Sequence, residues 1–257
     1  MDLQLAGKTA LVTGASKGIG FAVAETLAAE GCAVVLVSRS QAALDEAAAK
    51  IRARHNVPVT AHATDLAQRG APRALAEKFP ALDILVNNAG AIPGGDLLSV
   101  DEDRWHAAWD LKLYGFVDLT RAVYAGMKAR KAGVILNIIG SAGERPDAAY
   151  IAGSTANAGL MAFTRSLGGE SLDHGVRVLA INPGPVATER LVGILERRAL
   201  AELGDVARVG ELTAKMPAGR PATPQEIADT AAFLASPRSA YTSGAVLTID
   251  GGGTFRR

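Results

Sequence analysis

The chain has 257 residues, 49% of them hydrophobic, with 27 Lys plus Arg against 26 Asp plus Glu. That size allows one large core, and the balanced charge gives no electrostatic reason to expect nucleic acid or an anionic membrane as a partner. No apolar run reaches the ~20 residues of a membrane span, MDLQLAGKTA lacks the basic and apolar parts of a signal peptide, and the lone Cys32 excludes an internal disulfide, so a cytoplasmic protein is expected.

Short apolar runs alternate with segments of helical period. TALVTG (9–14) reads as the first strand, and FAVAETLAAE follows as a helix. AVVLVS (33–38) precedes the helical AALDEAAAKIRAR, and VPVTAHA precedes GAPRALAEKF, a weaker helical pattern. LDILVN (82–87) leads to one long helical segment, DEDRWHAAWDLKLYGFVDLTRAVYAGMKAR, whose start carries capping-box spacing at Ser99 and Glu102. GVILNIIG (133–140), a helix from about Tyr150, VRVLAIN (176–182) and AVLTID (245–250) complete the series. Seven mostly all-apolar strands alternating with helices predict a doubly wound α/β fold, with a seven-stranded parallel sheet in one domain covering the whole chain.

Residues 183–224 are too long for an ordinary loop and have a charged, helical middle, so a lid at about 189–220 is expected. Thr223, Pro224 and Glu226 mark the next helix start. The lid's six basic and five acidic residues do not favour an acidic substrate, and ILERRALAEL has an apolar face suited to a medium-sized or hydrophobic one.

TGASKGIG (13–20) joins the first strand to the first helix. Its small residues let the backbone approach a pyrophosphate, and the helix N-terminus supplies N–H donors. Gly14, Gly18 and Gly20 are spaced G-x-x-x-G-x-G, with Ser16, Lys17 and Ile19 between them. At the end of the second strand stand Ser38 and Arg39, where NAD sites usually carry an acid for the ribose 2′-hydroxyl. A guanidinium there suits a phosphate, and Lys17 adds a second cation, so the expected cofactor is NADP(H).

Together with Asp65–Leu66, NNAG at 87–90 and NPGPVAT at 182–188, this turn resembles the classical short-chain dehydrogenase/reductase family nearly end to end. The resemblance implies that Asp65 and Leu66 flank the adenine. It implies that Asn87 to Gly90, Ala89 among them, line the cofactor cleft, and that Pro183 to Thr188, with Gly184 and Val186 between them, hold the nicotinamide end. It also implies a small-molecule substrate and a homo-oligomer, either a dimer or the family's usual homotetramer.

The family's chemistry uses a tyrosine, a lysine one helical turn later, a serine and an asparagine. Carried onto this sequence by position, these fall on Gly153, Asn157, Gly140 and Lys112, so all four standard positions are expected to be substituted. Lysine and asparagine have exchanged helices. The replacements considered are Lys112 as the cation or proton donor, Tyr150 with Ser141 as a hydroxyl pair, and Asn157 as a ribose hydrogen-bond partner. Tyr150 has to reach past the glycine at 153 to contribute.

Each has a bland reading: Lys112 as a snorkelling surface lysine, Asn157 as a buried amide, and Trp105 with Trp109 as core or subunit packing. His55, His62, His106 and His174 are scattered, so no metal is expected. The leading function is an NADP(H)-dependent oxidoreductase acting on a carbonyl or alcohol through a non-standard site. The alternatives are a cofactor-binding protein without redox turnover, as a sensor or silent subunit, and a non-redox lyase or hydratase.

Overall fold

The computed structural model describes residues 1–256. Seven parallel strands form one sheet in the order β3-β2-β1-β4-β5-β6-β7. They are β1 (Thr9–Thr13), β2 (Ala33–Ser38), β3 (Val59–Ala63), β4 (Ile84–Asn87), β5 (Gly133–Ile138), β6 (Val176–Pro183) and β7 (Val246–Ile249). Between them run α1 (Gly18–Ala29), α2 (Gln41–Arg54), α3 (Ala71–Lys78), α4 (Glu102–Trp109), α5 (Gly115–Arg130) and α6 (Ile151–Ser171). The helices α7 (Glu189–Leu203), α8 (Val209–Thr213) and α9 (Pro224–Ala235) follow β6. No helix among the described residues is long and apolar enough to cross a membrane.

The all-apolar strands are explained by what covers them. Successive side chains alternate between the two faces of the sheet. Ala10, Val12, Val34, Leu36, Ile84 and Val86 join one core, covered by Val23 and Leu27 of α1 and Ile227 and Ala231 of α9. Leu11, Val35, Val37, Leu85 and Ile135 join the opposite core, covered by Leu75 of α3 and Leu119, Val123 and Met127 of α5. Along the inner strands β1, β2, β4, β5 and β6 neither face meets much water, so neither needs polar positions. The order of pairing reverses at β1, whose neighbours are β2 and β4. A crevice at such a switch point, beyond the carboxyl ends of the strands, is where doubly wound sheets bind ligands.

Two expectations about helix termini need separate treatment. The capping box at Thr223 and Glu226 is present. The one at Ser99 and Glu102 is not: Ser99 Oγ accepts the Asp96 N–H at 2.8 Å within a turn. Asp101 caps α4 instead, accepting the Arg104 N–H at 2.8 Å. Asp101 stands directly before the first helical residue and places Arg104 at the third position, where a box needs Glu or Gln.

The long helical segment is also not uniform. Between α4 and α5 lies a π-helical turn, Asp110–Tyr114, containing Lys112. Such insertions are frequent at functional sites. Trp105 and Trp109 belong to an internal cluster with Ile92, Ala108, Ala152 and Ala156.

The segment after β6 makes a small substructure of its own. Val186 bridges Ala222 at its base, and Leu195, Ala199 and Leu212 bury one another inside it.

Candidate active site

A cavity of about 1140 Å³ opens over the carboxyl ends of β1, β4 and β5. At one end the backbone turn after β1 comes close to the segment after β4. Gly14 has φ +66°, and a Cβ there would stand 2.8 Å from Asn88 Nδ2. A side chain at Gly20 would meet the same amide at 2.5 Å. Thr13 Oγ1 accepts the backbone N–H groups of Asn88 at 2.8 Å and Ala89 at 3.0 Å, latching the two strand ends together. Gly14, Ser16, Lys17, Gly18 and Ile19 all line this end.

Ser38 and Arg39 line it from the end of β2. Ser38 Oγ is buried without a hydrogen-bond partner among the described residues, and no acid there lies within ion-pair distance of Arg39. A buried hydroxyl and an unpaired guanidinium beside a glycine-rich helix N-terminus form a donor set that fits a dinucleotide carrying a 2′-phosphate. Lys17 is otherwise engaged: its Nζ lies 2.7 Å from Glu189 Oε2, an exposed pair that links the glycine-rich turn to the start of α7.

The remaining cofactor positions divide. Leu66, Ala89, Gly90, Pro183, Gly184, Val186 and Thr188 line the cavity. Asp65 turns its carboxylate to its own backbone, accepting the Ala67 N–H at 3.1 Å. Asn87 lies beneath the cleft, donating from Nδ2 to Thr120 Oγ1 and Asn137 Oδ1, each at 2.9 Å. Its neighbour Asn88 is the residue that faces the cavity. The expectation that Asn87 lines the cleft is corrected here, because consecutive residues at a strand end point to opposite sides.

Lys112 lies at the other end. The surface-lysine reading does not hold, for its side chain is buried and lines the cavity. Nζ donates to the carbonyls of Ile138 at 2.9 Å and Ile139 at 3.1 Å, and sits 4.7 Å from the centroid of the Phe116 ring. A Cβ at Gly90 would meet Lys112 Cδ at 2.6 Å, so the absent side chain there gives the lysine its path inward. Burial, with the Arg190 charge as the smaller cause, pulls its pKa down from 10.5 to about 7. An ammonium has three donors and two are used, leaving one uncommitted.

The other three candidates are not among the residues lining the cavity. Ser141 begins a short turn after β5, and its carbonyl accepts the Glu144 N–H at 2.9 Å. Asn157 is buried behind Gly140, its Nδ2 2.9 Å from the place a Cβ would take there; its Oδ1 has no partner among the described residues. Tyr150 caps α6 and folds its ring over Gly153, so that its hydroxyl lies 2.6 Å from where the Gly153 Cβ would be. Burial pushes the Tyr150 hydroxyl above its ordinary pKa, and the Arg190 guanidinium opposes that rise.

Arg190 was not expected. Thr188 caps α7, accepting the Leu191 N–H at 3.4 Å, and so puts Arg190 in its first turn. From there its Nη2 donates to the Ile92 carbonyl at 2.6 Å and its Nη1 to that of Gly90 at 3.4 Å. A signal existed in the sequence: a cation in the first turn opposes the helix dipole and needs another reason to be there.

A family profile described as Enoyl-(Acyl carrier protein) reductase matches residues 14–254. The galactitol 2-dehydrogenase (L-tagatose-forming) of Cereibacter sphaeroides is 38% identical over 98% of this chain and 96% of its own. A 3-oxoacyl-(acyl-carrier-protein) reductase of Vibrio cholerae is 34% identical over 97% and 98%. The L-sorbose reductase of Gluconobacter frateurii, solved with NADPH and L-sorbose, superposes with a TM-score of 0.91 at 31% identity over 100% of both chains.

Proposed function

The chain belongs to the short-chain dehydrogenase/reductase family, and we propose that it is an NADP(H)-dependent oxidoreductase acting on a carbonyl or alcohol, with Lys112 in place of the family's usual acid. The observation that carries this reading is the buried Lys112 amine in the cavity wall, bonded to the carbonyls of Ile138, the last residue of β5, and Ile139 just beyond it. The preference for the phosphorylated cofactor rests on Arg39 and the unpartnered Ser38 hydroxyl, and is supported by the NADPH in the sorbose reductase.

When bound, NADPH supplies the hydride. Reduction of a carbonyl leaves an alkoxide that needs a positive charge and a proton at the same place. Lys112 offers both: with a pKa of about 7 it carries a proton near neutrality and gives it up at small cost. The carbonyls of Ile138 and Ile139 fix its position, and Gly90 leaves it room. Tyr150 and Asn157 are positioning residues in this scheme. The first holds α6 against the 92–95 segment, and the second packs under Gly140. Ser141 has no chemical role in it. The segment 189–220 acts as the lid, through Arg190.

One observation favours a cofactor-binding protein without turnover: burial raises the Tyr150 pKa, which makes that hydroxyl a poorer acid. The experiment that separates the two is NADPH oxidation with a panel of ketones and aldehydes by native protein, Lys112→Ala and Tyr150→Phe. The enzyme reading expects native turnover, a loss of about 10²–10⁴-fold in Lys112→Ala, and a much smaller loss in Tyr150→Phe. NADPH binding without turnover of any acceptor supports the non-catalytic reading.

A further inference from the structure

A smaller cavity of about 520 Å³ adjoins the first and shares Arg39, Gly90, Ala91, Leu111 and Arg190 with it. It lies between the segment after β4 and α4. Ile92, Pro93, Ala107 and Ala108 supply an apolar floor, and Arg104 stands at its edge. Three solvent-exposed arginines therefore border one small, open space.

The acids that balance the charge of residues 189–220 do not face this space. Glu189 is taken by Lys17 at 2.7 Å, Glu202 by Arg198 at 2.9 Å and Glu211 by Arg208 at 2.6 Å. Asp205 caps a turn, accepting the Ala207 N–H at 2.8 Å. Glu189 is the sole acid lining either cavity among the described residues. Arg190, whose guanidinium holds the Gly90 and Ile92 carbonyls and the Tyr150 hydroxyl and has no ion pair among the described residues, and Lys112 thus bring two cations to the junction of the cavities. Arg104 has one acid contact, Asp101 at 3.9 Å. The near-neutral count of the segment conceals a local excess of positive charge at the cavity rim.

We propose that the smaller cavity is a subsite for an oxoanion, carboxylate or phosphate, carried at the far end of the carbonyl substrate and held by Arg190 and Arg104. The proposal rests on the reductase reading for the place of the carbonyl, beside Lys112, but not for the anion's own contacts. Arginine donors match the paired oxygens of such a group, and the apolar floor strengthens the attraction. Arg39 stays with the cofactor's 2′-phosphate at the far rim.

The test is isothermal titration calorimetry on NADP-saturated protein, which fills the cofactor's own phosphate site first. The probes are 4-oxopentanoate against 2-pentanone, and dihydroxyacetone phosphate against dihydroxyacetone. At least one charged probe is expected to bind about tenfold or more tightly than its neutral counterpart, the scale of one charge-assisted contact. The pair showing the preference identifies carboxylate or phosphate as the group recognised. Arg190→Gln and Arg104→Gln should each remove most of the preference. Arg104 is an exposed helix residue, so its replacement tests the subsite even if Arg190→Gln disturbs α7.

Equal binding of charged and neutral probes, absence of binding by all four, or a preference that survives both substitutions overturns the subsite. NADPH oxidation with the same probes is a separate readout. Charge-dependent binding with no turnover keeps the subsite and counts against the reductase reading. Turnover indifferent to charge and to both arginines does the opposite.

Discussion

The ring of Tyr150 occupies the space that a Cβ at Gly153 would fill, its hydroxyl 2.6 Å from that position. A residue three places earlier in the chain has moved into the volume left by a missing side chain. Gly153→Ala should therefore push the ring out or strain α6, and overpacking of this kind costs about 1–3 kcal/mol. Thermal unfolding should show a Tm lower by several degrees. An unchanged Tm would mean that the ring does not rest on the helix.

The charge of Lys112 should make stability depend on pH. Its folded pKa of about 7 lies below the ordinary 10.5, so between these values the unfolded chain binds more protons and stability rises with pH. The penalty is fully present below about pH 7 and gone above about 10.5. Lys112→Met should raise the Tm at pH 6, by an amount on the order of 1–4 kcal/mol in stability, and leave it unchanged near pH 10.5. Unfolding curves of both proteins at the two pH values check this, and an equal effect at both would contradict it.

On the proposed reductase reading, the same proton governs turnover. With Lys112 as the acid, the ketone-reduction rate should be constant below pH 7 and fall as pH rises through about 7. A pH–rate profile that is flat to pH 9 would remove Lys112 from the proton-transfer step.

Arg39→Ala should weaken NADPH by about 10–100-fold, the scale of a lost charged hydrogen bond, and leave NADH nearly unaffected. Fluorescence titration of the two cofactors reads the ratio. Equal loss for both would mean that Arg39 does not contact the 2′-phosphate.

Arg177 has a purely structural prediction. Its buried guanidinium donates to the carbonyls of Leu234, Ala235, Ser236 and Ser239 at the end of α9. The Leu234, Ser236 and Ser239 carbonyls each keep another donor, so Arg177→Ala should cost about 1–3 kcal/mol without changing cofactor specificity. Chemical denaturation measures the first and the NADPH/NADH ratio the second.

The strands were legible because burial on both faces leaves an uninterrupted apolar signature, as in AVVLVS of β2. The glycine-rich turn was legible too, since a Cβ at Gly14 or Gly20 would meet Asn88 at 2.8 or 2.5 Å and only glycine fits there. The catalytic end was harder to read. Tyr150 is placed by the turn 147–150, where Ser154 Oγ accepts the Asp147 N–H at 3.0 Å, and nothing in helical periodicity gives the direction in which a capping side chain folds.

The sequence by itself determined the seven-stranded alternation, the glycine-rich turn, and the basic pair at Lys17 and Arg39. These are properties of residue type at fixed spacing, which local geometry turns into structure with little choice. Only the tertiary structure decided which charges face inward. Arg190 and Glu189 are neighbours in the chain, yet the first enters the cleft and the second turns out to Lys17. Charge counts cannot separate them, because the direction of a side chain is set by what packs around it.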